Sequence, residues 1–350
     1  MSVILFFIIL AVLILSHEFG HFIVAKKSGI RVDEFGFGFP PRLFKFKKGE
    51  TLYSFNLIPF GGFVKIYGEE GENGGDPSSF SSKSIYIKAM VIAAGVIFNL
   101  FLAWFLITAG YMAGMPTSIG PILPGTEISG KKTVILEVLD DTPAKTAGLW
   151  PGDELVDFTS VEEAQKFIFD SKGKEITINY KRGKESFSVK IVPRIDPPAG
   201  QGAIGIAMDD VGVIKFSWYR SMWEGLKTTS GLVVVVTQSI FQFISNAVKG
   251  TAGLEQVIGP VGIVSVTGTA AKFGLVYILG FVAMLSINLA VINILPFPAL
   301  DGGRLLFLLV EKIKGSPVSP KISGVVHGVG LVLLLILMAT ITYRDILKLV

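Results

Sequence analysis

The most prominent pattern along this chain is a set of long apolar runs separated by polar segments. Four of these runs are long enough to cross a bilayer, which takes about 20 residues of α-helix. They cover residues 1–25, 89–115, 273–300 and 322–343. The first run opens the chain as a signal peptide would, but Met1, Ser2 and Val3 are not the basic residues with which a signal peptide begins. The pattern therefore predicts four retained transmembrane helices.

A fifth run, residues 228–248, is uncharged but carries Thr, Ser, Gln and Asn at many positions. Basic residues concentrate between the first two helices and after the third, as they do in cytoplasmic loops. They are Lys26, Lys27, Arg31, Arg42, Lys45, Lys47 and Lys48, and then Arg304, Lys312, Lys314 and Lys321. Both groups face the cytoplasm only if the fifth run does not cross, so we expect it to lie on the outer surface. The N-terminus and the segment from residue 116 to about residue 254 then lie outside the cytoplasm.

This long outer segment has the composition of a folded domain. Its predicted elements are a strand over residues 133–138, a helix over 161–170, and strands over 175–180 and 186–192. Residues 181–184 supply a hairpin turn between the last two strands. Residues 196–200 are rich in Pro and Gly and predict a linker. We therefore expect a small α+β domain over residues 117–195, followed over 196–272 by a linker that contains the surface helix.

Composition narrows the kinds of site that the chain can hold. It is 50% hydrophobic and 17% charged, whereas soluble domains average about 25% charged residues. A net charge of +4 is too small to indicate nucleic-acid binding. Because the chain has no Cys, a transition-metal site must use His and carboxylate ligands. The His residues are His17, His21 and His327.

Residues 17–21 have the sequence H-E-x-x-H and lie within the first apolar run. Positions i and i+4 share a helix face, so both imidazoles can reach one metal ion with Glu18 beside them as a general base. Ionisable residues in a membrane helix cost about 2.5 to 3.5 kcal/mol each, and a bound metal would offset that cost. A polar patch that only marks the membrane interface is the alternative. The position of the motif favours a metal site.

A third ligand is expected, because catalytic zinc takes three protein ligands and a water. Asp301 is the best candidate, since Pro296 and Pro298 break the third helix just before it and the freed backbone needs water or protein partners. The order of the helices places Asp301 on the same side of the membrane as the two histidines. The alternative for Asp301 is an ordinary N-cap of the next helix. His327, on the fourth helix, is better explained as structural or interfacial.

Residues 52–67 alternate apolar and polar side chains on either side of residues 59–62, which include a Pro and two Gly. This pattern predicts a β-hairpin that is too apolar for an ordinary cytoplasmic loop. A small amphipathic hairpin at the membrane surface is one interpretation of it.

In these features the chain resembles the site-2 proteases, the bacterial intramembrane zinc metalloproteases of peptidase M50 type that include the regulator of sigma-E protease. The resemblance covers nearly the whole chain. It rests on H-E-x-x-H, on the run of residues 293–302, and on the order of both around an extramembrane domain.

The resemblance implies roles for individual residues. His17, His21 and Asp301 are expected to bind Zn²⁺. Glu18 is expected to be the catalytic residue. Residues 52–67 are expected to form a membrane-reentrant β-hairpin. Substrate contacts are expected from Asn288, Asn293, Pro296, Pro298, Gly61, Gly62, Phe63 and Val64.

The outer segment resembles a PDZ domain through residues 142–153, although residues 154–161 lack the usual Asn-Gly hairpin. PDZ domains bind peptide ends or strands by β-augmentation, and in this family the domain is viewed as a filter on the size of the substrate's outer part. We expect either a bound peptide or substrate ectodomain there, or size exclusion alone.

These expectations describe a polytopic α-helical membrane protein with four transmembrane helices, a reentrant β-hairpin and an inserted extracytoplasmic PDZ domain. Its membrane halves cover residues 1–116 and 273–350. The expected function is hydrolysis of a peptide bond in or near the transmembrane segment of single-span proteins, of the anti-sigma factor or signal-peptide remnant type. The enzyme is expected in the bacterial cytoplasmic membrane, with its active site toward the cytoplasm. A membrane-anchored PDZ scaffold without catalysis and a metal transporter are the alternatives.

Overall fold

The computed structural model describes residues 2–69, 75–118, 128–183, 185–198, 200–250, 257–316 and 318–347. Lys184 and Ala199, which the sequence assigns to a turn and a linker, lie outside the described residues. The chain divides into two compact units. The helical unit comprises Met1–Thr108, Met222–Ala271 and Ile278–Val350, and the sheet unit comprises Ala109–Ser221 and Lys272–Tyr277.

Most of the described residues are helical, because an apolar run of this length can satisfy its backbone hydrogen bonds within itself by forming an α-helix. The helices are α1 Ser2–Lys27, α2 Ile85–Ala113, α3 Pro143–Thr146, α4 Val161–Asp170, α5 Trp218–Val248, α6 Pro260–Phe273, α7 Leu275–Ile294, α8 Asp301–Lys314 and α9 Pro320–Leu347. The strands are β1 Val32–Lys48, β2 Thr51–Ile66, β3 Met115–Ser118, β4 Ile128–Val138, β5 Glu154–Leu155, β6 Ile176–Arg182, β7 Glu185–Ile191 and β8 Ile206–Ile214.

Helices α1, α2, α5, α7 and α9 are long and apolar enough to cross a membrane. The chain is thus a multi-pass membrane protein, as predicted. Helix α7 ends at Ile294 instead of continuing to residue 300, because Pro296 lacks an amide hydrogen and disfavours helical backbone in the residue before it. Helix α5 begins ten residues earlier than expected, at Trp218. Its length makes it a fifth candidate, so the number of spans depends on whether α5 crosses.

Helices α1 and α2 pack closely in opposite directions. The Ser16 hydroxyl donates to the Phe98 carbonyl (3.2 Å), and the His21 ring reaches the Val91 carbonyl one helical turn further along α1 and two turns back along α2. Between these contacts, Gly20 lies directly against the backbone of Ala94. A side chain at residue 20 would force the helices apart, so glycine there permits the close approach.

Helix α7 packs beside α1 and α2 and runs in the same direction as α1. Apolar residues of all three helices form one cluster: Leu5, Ile9 and Leu13, Leu102 and Leu106, and Ile278, Phe281, Val282, Leu285 and Leu289. Further along α7, the Ser286 hydroxyl donates to the Asn99 carbonyl (2.8 Å). Because α7 passes this cluster first and only then leads to Asp301, Asp301 lies level with the second half of α1.

Strands β1 and β2 form a sheet in which the chain folds back on itself. Residues 35–37 of β1 pair with residues 53–55 on one side and with residues 62–64 on the other, while residues 44–48 pair with residues 51–55. The two halves of β2 therefore lie on either side of residues 35–37 of β1. They do not pair with each other, whereas the predicted hairpin over residues 52–67 required that they should. The extended apolar chain was predicted correctly, but its partner strand lies earlier in the sequence.

The sheet unit contains a six-stranded sheet in the order β3-β8-β4-β5-β6-β7. Helix α4 matches its predicted bounds and turns Ala164 and Ile168 into the core. The largest fully buried side chains of that core come from separate elements and loops: Ile135, Leu149, Leu155, Ile178 and Ile204. Strand β8 lies between β3 and β4, so the unit extends past the expected boundary at residue 195 and reaches Ser221.

Residues 142–153, which carry the PDZ resemblance, pack against the start of β8. Thr142 caps α3 and lies directly against Gly205, whose φ of 78° suits glycine. At the other end, the Asp153 carboxylate is fully buried and accepts two bonds of 2.7 Å from the Arg182 guanidinium. A buried carboxylate needs such a partner, so this loop is fixed at both ends.

Candidate metal centre

Helix α1 places His17 and His21 on one face, one turn apart. Their Nε2 atoms lie 3.2 Å from each other, and the two rings meet edge to face. Lys26 and Lys27 occupy the last turn, where positive charge complements the negative end of the helix dipole. The H-E-x-x-H spacing therefore brings two imidazole nitrogens to one point, as predicted.

Asp301 reaches the same point from the beginning of α8. Its Oδ2 lies 3.1 Å from His17 Nε2 and 3.5 Å from His21 Nε2. The N-cap of α8 is Leu300, so the carboxylate does not cap the helix and the alternative interpretation of Asp301 is wrong. No hydrogen bond is made to Oδ2 by the described residues, although the atom is buried.

The separations between these three atoms suit a zinc ion. Ligands about 2.1 Å from a tetrahedral metal lie about 3.4 Å apart. The observed separations are 3.1, 3.2 and 3.5 Å. Two imidazole lone pairs and a carboxylate oxygen at such distances repel each other unless a cation or a proton lies between them. In the described part of the chain, His17, His21 and Asp301 are the group of titratable side chains that can hold a metal.

Helix α2 orients the two imidazoles from behind. The Val91 carbonyl lies 2.8 Å from His21 Nδ1, which therefore carries the hydrogen and leaves the Nε2 lone pair for a metal. Gly95 lies flush against both rings, and a methyl group there would come within 2.6 Å of His17 Cε1. The absence of a side chain at residue 95 thus makes room for the ligands.

Asn99 completes the support of His17. Its side-chain amide lies 3.4 Å from His17 Nδ1, and Asn99 itself is fully buried. In the assigned orientation Nδ2 faces the ring, whereas Oδ1 is buried and accepts no hydrogen bond from the described residues. Exchanging the two amide atoms lets Oδ1 accept the Nδ1 hydrogen. That arrangement leaves His17 Nε2 free to bind a metal, as at His21.

A cavity of about 280 Å³ opens beside the three ligands. Glu18, Asn293 and the end of β2 line it, together with Glu69 and Arg304, which form an ion pair. The end of β2 contributes Gly62, Phe63 and Val64. A methyl group on Gly62 would lie 3.0 Å from Glu18 Cγ, so the strand runs close to the carboxylate. The cavity thus brings the Glu18 carboxylate, a strand and the group of His17, His21 and Asp301 together.

Some of the predicted substrate contacts lie outside this cavity. Asn288 donates to the Met284 carbonyl of its own helix (2.8 Å). Gly61 packs against Phe39, and Pro298 packs against α9. Pro296 is exposed beyond the end of α7. None of these four residues is among those that line the cavity.

Three supporting residues were not predicted from the sequence. Gly95, Asn99 and Ser286 all lie in uncharged stretches of apolar helices, where a lone amide or hydroxyl is costly without a partner. The spacing Gly95-x-x-x-Asn99 places both on one face of α2. That spacing was the available signal, but the face of α2 that meets α1 is decided by packing.

A helical membrane bundle that presents two histidines, an aspartate and a neighbouring glutamate around one cavity defines a membrane-embedded metallopeptidase. The pattern of Peptidase family M50 matches residues 5–337, and the chain belongs to that family.

Relatives extend the match over almost the full length. The protein all3971 of Nostoc sp. (strain PCC 7120), described by its name as a zinc metalloprotease, is 36% identical over 350 residues, which cover 96% of this chain and 93% of that protein. The zinc metalloprotease RasP of Shouchella clausii is 30% identical over 418 residues, with 98% of each chain covered. The regulator of sigma-W protease RasP of Bacillus subtilis is 29% identical over 441 residues, with 99% of each covered. The protein is a zinc metalloprotease that cleaves within the membrane.

Replacing Gly95 by Ala is expected to impair metal binding, because the new methyl group would displace both imidazoles. We expect the zinc affinity of the purified chain, measured by competition with a chelator, to fall about 10-fold or more. Gly231→Ala in α5 is the matched control, since nothing lies within 4 Å of the position of its new methyl group. Wild-type zinc affinity in Gly95→Ala would contradict the packing of α2 against the ligands.

Proposed function

We propose that His17, His21 and Asp301 bind the catalytic zinc. Glu18 serves as the general base for hydrolysis of a peptide bond in or near the transmembrane segment of a single-span substrate. The convergence of three ligand atoms at tetrahedral separations carries this proposal. The apolar helices around the site support a membrane-embedded substrate, because a soluble peptide would have to give up its contacts with water to enter such a bundle.

Different residues of the chain transfer the proton and orient the metal ligands. Bound zinc supplies Lewis acidity to the scissile carbonyl and activates water. The Glu18 carboxylate takes the proton of the attacking water and delivers it to the leaving amide nitrogen. The Val91 carbonyl and the Asn99 amide fix the orientation of both imidazoles, so their Nε2 atoms stay directed at one point.

The substrate is held as an added β-strand. A transmembrane helix hides its carbonyls within its own hydrogen bonds, so cleavage requires a locally unwound segment. Residues 62–66 of β2 pair with β1 on one side, and several of them line the cavity. No strand of the described residues pairs with their other side. Pairing of the unwound segment there would satisfy its backbone and bring a peptide bond to the metal. Asn293, across the cavity, offers an amide to the same segment.

The β1–β2 sheet enters the membrane. Large apolar side chains are exposed on it at positions 39, 43, 44, 46, 55, 57 and 58. Contiguous apolar surface of this kind indicates contact with lipid or with another protein. Lipid is the occupant we propose, because the sheet follows directly from α1, a helix that is itself apolar enough to span the membrane.

Four helices span the membrane, with the metal toward the cytoplasm. Since α1 and α7 run in the same direction and α2 in the opposite one, the chain between α2 and α7 begins and ends on the same side. A crossing by α5 would require a second crossing before α7. Helix α6, with 14 residues, is about 21 Å long and too short to provide it across about 30 Å of hydrocarbon. The spans are then α1, α2, α7 and α9, and the basic segments face the cytoplasm.

The sheet unit lies outside the cytoplasm and acts as a PDZ domain. A groove of about 300 Å³ runs between α4 and the start of β8, lined in part by Gln165, Ile168, Ile206 and Met208. Strand β3 pairs with residues 211–214 of β8, and no strand of the described residues pairs with residues 206–210 on that side. A peptide strand from the outer part of a substrate can add there by β-augmentation, or the unit can exclude large ectodomains.

The name of the Bacillus subtilis relative connects that protein to regulation of sigma-W. By analogy, we propose membrane-anchored regulators such as anti-sigma factors as substrates, with signal-peptide remnants as a second class. Membership of a peptidase family favours this over a scaffold without catalysis. A metal transporter would need polar groups across the whole membrane depth, whereas the ligands gather at one level.

Replacing Glu18 by Gln is expected to abolish cleavage and to leave zinc bound, because the amide cannot accept the proton of water. We expect a loss of about 100-fold or more in the rate of cleavage of a single-span substrate in detergent. Glu162→Gln, in the first turn of α4, is the control and should cleave at the wild-type rate. Asp301→Asn should lose zinc as well as activity. Wild-type cleavage by Glu18→Gln would exclude Glu18 as the base.

Replacing Gly62 by Ala is expected to slow cleavage without loss of zinc. The new methyl group would lie 2.7 Å from Ile14 Cγ2 and 3.0 Å from Glu18 Cγ, so it would push the strand away from the base but not touch the ligands. We expect the cleavage rate to fall about 10-fold at unchanged zinc content. Gly75→Ala is the control, since no atom lies within 4 Å of its added carbon. Unchanged cleavage by Gly62→Ala would argue against strand addition at this edge.

The topology can be tested by single cysteines, because the chain has none of its own. We expect a membrane-impermeant maleimide added to intact cells to label Lys190→Cys in the sheet unit and Lys249→Cys after α5. Lys312→Cys in α8 should react only after the membrane is opened. All three side chains are exposed. Labelling of Lys249→Cys only in opened cells would mean that α5 crosses.

A further inference from the structure

His327 of α9 contacts the segment that joins α7 to α8. This segment, residues 295–300, contains two prolines and supplies amide hydrogens at the other four positions. Three of these donate to nearby backbone carbonyls of the same segment or of α7. The fourth, the Ala299 amide, donates to His327 Nδ1 across 2.9 Å. This bond is made to a different helix, so it ties the segment to α9.

The backbone at Ala299 needs such a tie. Its φ is 73°, a left-handed conformation that costs about 1 to 2 kcal/mol for a residue with a side chain. Such conformations persist only where the surroundings impose them. Next to it, α9 presents Gly330, and a methyl group there would lie 2.6 Å from the Pro298 carbonyl oxygen. Helix α9 thus packs against Pro298 and hydrogen-bonds to Ala299.

The contacts with α9 affect the metal centre because they fix the direction in which the backbone enters α8. Ala299 lies two residues before Asp301, and its left-handed turn redirects the backbone so that α8 begins with the carboxylate toward the histidines. Gly302 and Gly303, just after it, lie directly against carbonyls of residues 294–297. The segment is therefore closely packed on itself, and α9 holds it from the outside.

We propose that His327 is a positioning residue of the metal centre: by accepting the Ala299 amide hydrogen, it holds the joining segment so that Asp301 Oδ2 stays within ligand distance of the two histidines. The inference rests on the proposed role of Asp301 as a metal ligand. In this role His327 acts as a hydrogen-bond acceptor and does not need to contact the metal.

Packing alone is the competing explanation, because the ring centroid of His327 also lies 5.2 Å from that of Phe307. The two explanations differ in what they require of residue 327. Positioning requires an acceptor at the place of Nδ1, which an Asn side chain can supply and a Leu side chain cannot. Packing requires apolar volume, which Leu supplies better than Asn.

The test uses the purified full-length chain in detergent, with Co²⁺ as a spectroscopic substitute for zinc. His327→Leu is expected to bind Co²⁺ and Zn²⁺ about 10-fold more weakly and to show an altered visible spectrum of the cobalt form. His327→Asn should restore the wild-type spectrum and an affinity within about 3-fold of wild type. Val329→Leu, an exposed position on the same helix, is the matched control and should bind both metals as wild type does.

Each outcome decides the proposal. Wild-type affinity and spectrum in His327→Leu would overturn it, as would equal losses in the Leu and Asn variants. A stronger effect of Asn than of Leu would indicate packing and would overturn it too. Asp301→Asn, measured in parallel, separates this inference from the proposed function. If Asp301→Asn keeps wild-type metal affinity, the ligand assignment itself is wrong, whereas its loss with unchanged His327→Leu refutes only the role of His327.

Discussion

Two imidazole nitrogens and a carboxylate oxygen meet beside a cavity among apolar helices, and each of them can offer a lone pair toward the others. Such a group is unfavourable in hydrocarbon without a cation, since desolvated acceptors have no donors to replace water. The protein must therefore hold the three proposed ligands by contacts that do not depend on the metal. Much of the architecture near the site serves this need. It explains why polar contacts between α1, α2 and α7 cluster at one level of the bundle.

The contacts that hold the ligands are made mostly where side chains are small. Gly20 and Gly95 let α1 and α2 approach until backbone and imidazole touch, and Gly330 does the same for α9 and Pro298. Membrane helices lack a hydrophobic force between them, so close van der Waals packing and a few hydrogen bonds must fix their register. Register matters here, because a shift of one residue along α2 would remove the carbonyl that orients His21.

The chemistry of the site could be predicted from the sequence better than its support. The convergence of His17 and His21 could be predicted from their i, i+4 spacing on a helix alone. The position of Asp301 could be predicted from the prolines before it and from the order of the helices. Asn99 and Gly95 depend on which face of α2 meets α1, which helix periodicity does not decide in a segment apolar on all sides. The same holds for strands: both halves of β2 pair with the first part of β1, and β8 pairs with β3 and β4 across a long stretch of sequence. Local patterns therefore predicted the strands but not the pairing of β2 or the end of the sheet unit.

The proposed strand addition at residues 62–66 also bears on which substrates can be cleaved. An unwound membrane segment exposes amide and carbonyl groups, and each costs several kcal/mol in hydrocarbon without a partner. An edge strand satisfies about every second residue of the segment on one side only. The remaining groups need water, which the cavity beside Glu18, Glu69 and Arg304 is polar enough to hold. Unwinding is therefore favourable only where the substrate's own helix is weak, as at Gly, Pro or β-branched residues. If substrates are added as a strand in this way, the strand and the polar cavity would select them by how easily they unwind, in addition to any filter outside the membrane.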